Sequence, residues 1–395
     1  MKEKQKIGLV IAYYKNHNNY GTALQGYATL KSIADLGFTC RIIKYVKRDP
    51  LIKKLRLAPL MLISGGWDAY KRKRNKEKIS FSSTSYAKNI AIRTKANNDW
   101  KDCIMEPYCD TYIGYESLHI GSKNYNLVLV GSDQVWTPLG LYSKFFNLLF
   151  VDDSVPRISY ASSFGVSKIP WWQKHATTKY LNRIDALSVR ELKAKEIVDN
   201  LTIKKAVVVL DPTLLRTKEQ WEKEFEGKAN KVEGDYIFCY LLGKRDETRK
   251  EVNKLAKATN LKVVAIRHTD EFIESDEYFG DIALYDVNPI EFIQLIGNAK
   301  YVCTDSFHCS VFSIIFQRQF ITFYRFAATD GNSRNSRIDS LLSLMGLTNR
   351  LYKNEIVKQI QNPIDYKVVE RKLEALRKDS MEFLMKGLSL AKIIL

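Results

Sequence analysis

Tyr301-Val302-Cys303-Thr304-Asp305-Ser306-Phe307-His308 is the stretch whose reading decides the fold. A short apolar run ends in small polar residues and then a histidine. Cys309–Phe316 follows with apolar residues at helical spacing, and Phe320-Ile321-Thr322-Phe323-Tyr324 resumes strand character. The pattern predicts strand, turn, helix, strand, with His308 near the carboxyl end of the first strand. Open α/β sheets take their ligands at that edge, and helix N-termini there favour anions. His308 is one of five histidines in the chain. Its position makes it a candidate for chemistry, with an ordinary core or capping histidine as the plain alternative.

The same alternation extends in both directions. Upstream, the pattern predicts strands at 235–242 and 262–267 and helices at 246–259 and 289–296. The first half opens with a strand at 7–14, a polar loop, a helix through Ala23, Leu24, Tyr27, Leu30 and Ile33 that stops at Gly37, and a strand at 41–46. That is a βαβ opening and argues for a parallel sheet. Further strands are expected at 125–130, 157–161, 186–189 and 206–210. The fold class expected is therefore α/β, with two doubly wound domains at 1–215 and 216–365. The tail, 366–395, places Val369, Leu373, Leu376, Phe383, Leu384, Leu388 and Ala391 on one stripe. It is expected to return as an amphipathic helix across the domain junction, a membrane-lying helix being the alternative.

With 395 residues, 45% of them hydrophobic, the chain has material for two cores. No apolar run of about 18 residues is present, so a spanning helix is not expected. The first residues lack the features of a signal peptide, and a cytoplasmic location is expected. Six scattered cysteines without a CxxC pair give no zinc signature, so no metal is expected. The net charge of +18 is concentrated. Residues 41–78 hold thirteen Lys or Arg against three acids, around the apolar Leu57–Ile63 and the run Lys71-Arg72-Lys73-Arg74-Asn75-Lys76. This basic insertion, about 47–80, suits an anionic membrane surface at the inner face; a solvated insertion is the plain reading. It lacks interleaved aromatics, and no nucleic-acid partner is expected.

Three loop clusters mark the first half. Asn19, Gly21 and Gln25 lie where strand gives way to helix, and the loop amides could hold a polar ligand. Gly131-Ser132-Asp133-Gln134-Val135-Trp136 offers an acid, an amide and an indole at the sheet's mouth. Asp133 and Gln134 suit sugar hydroxyls, and Trp136 suits the apolar face of a sugar ring; a cap and a core aromatic are the structural alternatives. Ser159–Gly165 adds hydroxyls. Arg190, at the end of a strand, and Arg337, at a helix start, supply forks that match carboxylate or phosphate, or form structural ion pairs. GxSxG, GxGxxG and P-loop patterns are absent.

Together these segments, with Ser188-Val189-Arg190-Glu191, Asp211-Pro212-Thr213 and Thr304–His308, resemble the polysaccharide pyruvyltransferase family in residues and order over about 7–345. The resemblance implies two Rossmann-like domains facing across a cleft, as in GT-B glycosyltransferases. It implies phosphoenolpyruvate as donor, with no further cofactor. The acceptor would be a sugar of a surface polysaccharide, capsule or exopolysaccharide, or of its lipid-linked precursor; the product would be a cyclic pyruvate ketal. His308, Arg190, Ser306 and Arg337 become candidate donor-binding residues, and Asn19, Gly21, Gln25, Asp133, Gln134 and Trp136 candidate acceptor-binding residues. His308 is a candidate acid or phosphate ligand, and Asp133 a candidate base or orienting group. Members commonly carry Gly after the histidine; Cys309 stands there in this chain and is expected to narrow the pocket. A nucleotide-sugar glycosyltransferase and a non-catalytic glycan- or membrane-surface-binding protein are the alternatives.

Overall fold

The computed structural model describes residues 5–48, 84–138, 144–269, 272–326 and 335–391. The basic insertion, with its apolar Leu57–Ile63 and Lys71–Lys76 run, lies outside them apart from its first two residues.

Seven parallel strands build the first sheet: β1 Lys6–Val10, β2 Thr39–Val46, β3 Cys109–Ile113, β4 Leu127–Val130, β5 Arg157–Ser162, β6 Ala186–Val189 and β7 Val207–Val208, in the order β3-β2-β1-β4-β5-β6-β7. Five more build the second: β8 Tyr236–Tyr240, β9 Lys262–Ala265, β10 Ile282–Ala283, β11 Tyr301–Thr304 and β12 Gln319–Thr322, in the order β10-β9-β8-β11-β12. The central strands β4 (LVLV) and β8 (YIFCY) are buried along their whole length because both their faces are covered. Edge strand β3, with the sequence CDTYI, is only partly buried. It has no apolar run, and the sequence pattern does not predict it. The first strand is shorter than expected: after Val10 the chain leaves the sheet and forms a cavity wall.

In each sheet the strand order runs outward from a central strand and then restarts on its other side. Switch points therefore fall between β1 and β4 and between β8 and β11, where crevices open at the carboxyl ends of the strands.

Three helices bind the halves together. Helix α1, Tyr20–Asp35, is capped by Asn19, whose side chain accepts from Thr22 N. Its Tyr20 stacks on Phe292 at 4.4 Å and donates to Val287 O at 2.9 Å, both in the second half. Such a stack is worth about 1 kcal/mol beyond area burial. Helix α2, Thr84–Ile104, sends the buried Arg93 to the carbonyls of Leu284, Tyr285 and Arg267 at 2.7, 3.0 and 3.3 Å. Helices α3, Pro289–Asn298, α4, Phe307–Ile315, and α5, Ser336–Met345, belong to the second half. Helix α6, Tyr366–Leu388, returns to the first half as expected: Ser380 Oγ accepts from Leu210 N at 3.0 Å, and Arg377 Nε donates to Leu214 O at 2.9 Å. One hydrophobic core continues across both halves, from Leu9 and Leu129 through Tyr20 to Phe292 and Phe312.

Candidate active site

A cavity of about 300 Å³ opens where the two switch points face each other. From the first half it takes Tyr14, His17, Asn19 and Thr22 after β1, and Asp133, Gln134 and Phe146 after β4. From the second it takes Leu242 after β8, Ser306, Phe307 and His308 after β11, Arg325 after β12, and Arg337 on α5.

The β1 loop is held from below. Lys101 of α2, 3% exposed, donates to the carbonyls of Tyr14 and His17 at 3.0 and 2.7 Å, and burial lowers its ammonium pKa to about 8. Asp133 takes a left-handed backbone conformation after β4 and accepts from Thr22 Oγ1 at 2.9 Å. Gly131 precedes it at φ +132, where a Cβ would meet Tyr160 O at 1.9 Å, so only glycine fits. Burial opposes ionisation of Asp133, but Arg190, His308, Arg337 and the Thr22 hydroxyl outweigh it and hold the carboxyl below its ordinary value.

On the opposite wall Asp305 accepts from the amides of Leu242 and Gly243 at 2.8 and 2.7 Å and so ties the β8 loop to the β11 loop. Arg325 donates to Asp305 O at 3.2 Å. Ser306 caps α4, accepting from Cys309 N, and His308 lies in the first turn of that helix.

Behind the cavity lies a buried charge cluster. Arg190 donates from Nη1 to Asp211 Oδ2 at 2.7 Å and from Nε to Glu191 Oε1 at 2.9 Å. Its Nη2 lies 3.9 Å from Asp133 Oδ1 without a hydrogen bond. Asp211 Oδ1 accepts from Thr213 N and Oγ1 at 3.1 and 2.7 Å, and Ser132 Oγ reaches Oδ2 at 3.2 Å. His308 Nε2 approaches Asp211 Oδ2 to 3.6 Å, an ion-pair distance longer than a hydrogen bond. Burial opposes the Asp211 charge; His308 and Arg190 more than offset it and hold its carboxyl far below the usual range. Arg190 and Arg337 both approach the Phe307 ring, at 4.5 and 5.8 Å. Burial, then repulsion from Arg190 and Arg325, presses the Arg337 pKa down.

The cavity thus brings together Asn19, Asp133, Gln134, Ser306, His308 and Arg337 of the expected set. Four residues call for correction. Trp136 is 0% exposed, donates to Phe146 O at 3.1 Å and packs on Phe164 and Tyr180, so it is a core aromatic with no face for a ligand. Gln25 is equally buried and braces the walls, donating to Thr22 O and accepting from Ser132 N. Arg190 backs the wall and does not line the cavity. Cys309 is fully buried in α4, where burial pushes its thiol up to about 12, and it does not line the cavity. Gly21 contributes by what it lacks: a methyl there would lie 2.1 Å from His308 Nδ1. Sequence reasoning missed Tyr14, Thr22, Leu242 and Arg325. Tyr14, Thr22 and Leu242 follow strands or open the helix next to a switch point, which is the signal that could have found them; Arg325 follows the edge strand β12 and carries no such signal. Among the described residues no cluster of three metal-ligating side chains occurs, and no helix is long and apolar enough to cross a membrane.

The sequence profile of polysaccharide pyruvyl transferases matches residues 19–325, and the chain belongs to that family. No curated protein matches it. Among solved structures it is similar to a UDP-N-acetylglucosamine 2-epimerase at TM-score 0.54 and 9% identity, covering 98% of this chain and 96% of the other. UDP-GlcNAc 2-epimerase from Methanocaldococcus jannaschii gives 0.48 and 11%, covering 95% of this chain and 100% of the other. S. aureus MnaA in a UDP co-structure gives 0.49 and 12%, covering 98% and 97%. The fold is GT-B-like.

Proposed function

We propose that the protein transfers pyruvate from phosphoenolpyruvate to two hydroxyls of a glycan sugar, forming a cyclic ketal and releasing phosphate. One observation carries this reading: Arg325, Arg337 and His308 line the same cavity as Asp133, Asn19 and Gln134. The two arginines match a small ligand bearing carboxylate and phosphate, His308 beside them can move a proton, and the second group offers partners for sugar hydroxyls.

C3 of the donor gains a proton and one hydroxyl oxygen bonds to C2. The C2–O bond to phosphate then breaks, its electrons leaving with phosphate, and the second hydroxyl closes the ring. Of the two hydroxyl protons, one is balanced by the proton gained at C3 and the other by the departing phosphate. Asp133, oriented by Thr22, aligns the acceptor, and Arg190 sustains the Asp133 charge from behind the wall. The acceptor would belong to a capsular or other surface polysaccharide or to its lipid-linked precursor, with the basic segment 41–78 drawing the protein to an anionic membrane face.

Calorimetric titration with phosphoenolpyruvate and with UDP-sugars tests the donor. Saturable phosphoenolpyruvate binding that Arg325→Ala weakens at least about tenfold supports the reading. Tight binding of a UDP-sugar with none of phosphoenolpyruvate would transfer the protein to nucleotide-sugar chemistry.

A further inference from the structure

The two nitrogens of the His308 ring face opposite electrostatic surroundings. Nε2 points to the fully buried Asp211 carboxylate, 3.6 Å away, and has no hydrogen-bond partner. Nδ1 points to Gly21 in the first turn of the sixteen-residue α1, so close that a methyl on Gly21 would lie 2.1 Å from it. A carboxylate favours a proton on the nitrogen that faces it. The positive end of a helix favours a lone pair on the nitrogen beside it. Both preferences select the same tautomer. Asp211 is itself immobilised, with Arg190 and Ser132 on Oδ2 and Thr213 on Oδ1, so it can hold the ring in one orientation.

We propose that Asp211 is a positioning residue of pyruvyl transfer. It fixes neutral His308 as the Nε2–H tautomer and leaves Nδ1, on the side of the cavity-lining Asn19 and Thr22, as the proton acceptor. This rests on the pyruvyl-transfer reading and assigns His308 a direction within it. As a sugar oxygen bonds to C2, its proton passes to Nδ1. The resulting imidazolium keeps its Nε2–H toward Asp211 and returns the Nδ1 proton to phosphate as the C2–O bond breaks. Asp211 touches no substrate and stays ionised throughout.

Nitrogen-15 NMR of the histidine-labelled protein tests this, with His308 assigned by the resonance missing from His308→Gln. With the ring neutral, wild type should show Nε2 protonated and Nδ1 bare. A protonated Nδ1, or an even mixture of tautomers, overturns the proposal. In folded Asp211→Asn the single tautomer should give way to a mixture, and kcat should fall about 10–100-fold with much less change in KM for phosphoenolpyruvate. An unchanged tautomer in that variant overturns the proposal as well. If Asp211→Asn does not fold, the wild-type spectrum still decides. That spectrum needs no turnover, so it stands apart from any failure of the pyruvyl-transfer reading.

Discussion

Gly21 and His308 meet across the domain junction, and a Cβ on Gly21 would stand 2.1 Å from Nδ1, 2.5 Å from Cγ and 2.9 Å from Cβ of the histidine. Rotating the ring alone cannot relieve a contact that reaches His308 Cβ. Alanine at a helical position ordinarily stabilises by up to about 1 kcal/mol. Here Gly21→Ala should destabilise by about 1–3 kcal/mol through overpacking and lower kcat about a hundredfold by displacing His308. Urea unfolding and turnover check the two effects; a stabilised, fully active variant would contradict the contact.

Arg337 is held against burial and against its neighbours Arg190 and Arg325, the setting in which a bound anion is most welcome. Phosphate or phosphoenolpyruvate should therefore raise the Tm. At one hundred times Kd the gain is about 2.7 kcal/mol. Arg337→Gln should remove most of that ligand-induced rise, as read by differential scanning fluorimetry. An undiminished rise would place the anion elsewhere.

Trp136 and Tyr14 should behave in opposite ways. Trp136→Ala removes a core indole and should cost about 3–5 kcal/mol, whereas Trp136→Phe should leave the acceptor KM unchanged. Tyr14 is 47% exposed and lines the cavity, its ring edge-on to Phe146 at 6.4 Å. Tyr14→Ala should raise the acceptor KM about tenfold, the worth of one aromatic contact, with stability little changed. Unfolding curves and acceptor titrations of both variants separate these outcomes.

That contrast shows what the sequence could and could not reveal. The alternation of apolar runs gave both parallel sheets, and β11, helix 246–259 and the returning tail helix fall where the pattern puts them. Strand β3 escaped because an edge strand needs no apolar run. Residues near a switch point were legible as a group: Asn19, Asp133, Ser306 and His308 do line one cavity. The direction of each side chain was not. Trp136 and Gln25 occupy the right loops but turn inward, and Arg190 spends its fork on Asp211 and Glu191. Arg325 gave no local signal; only the packing of β12 beside β11 brings it to the site.

Acid should weaken the fold through the same cluster. Asp211 and Asp133 have native carboxyl pKa values below the ordinary range, so once the pH falls below about 5 the unfolded chain binds more protons than the native one. Their contribution is fully present at neutral pH and is lost progressively as the pH drops through the ordinary carboxylate range toward the native values. Denaturation midpoints from pH 7 to pH 3 should fall, and Asp133→Asn should flatten part of that fall. An identical acid slope in the variant would show that Asp133 is not held low.

The most direct test of the account is phosphate release from phosphoenolpyruvate by the purified protein, with and without galactosyl, mannosyl and glucosyl acceptors, the sugar product being weighed by mass spectrometry. The account predicts release that depends on one acceptor class, a product heavier by pyruvate less water, and loss of both in His308→Ala. Acceptor-dependent release that His308→Ala retains within tenfold, or a phosphoenolpyruvate-binding protein that forms no ketal with any acceptor of the panel, would contradict it.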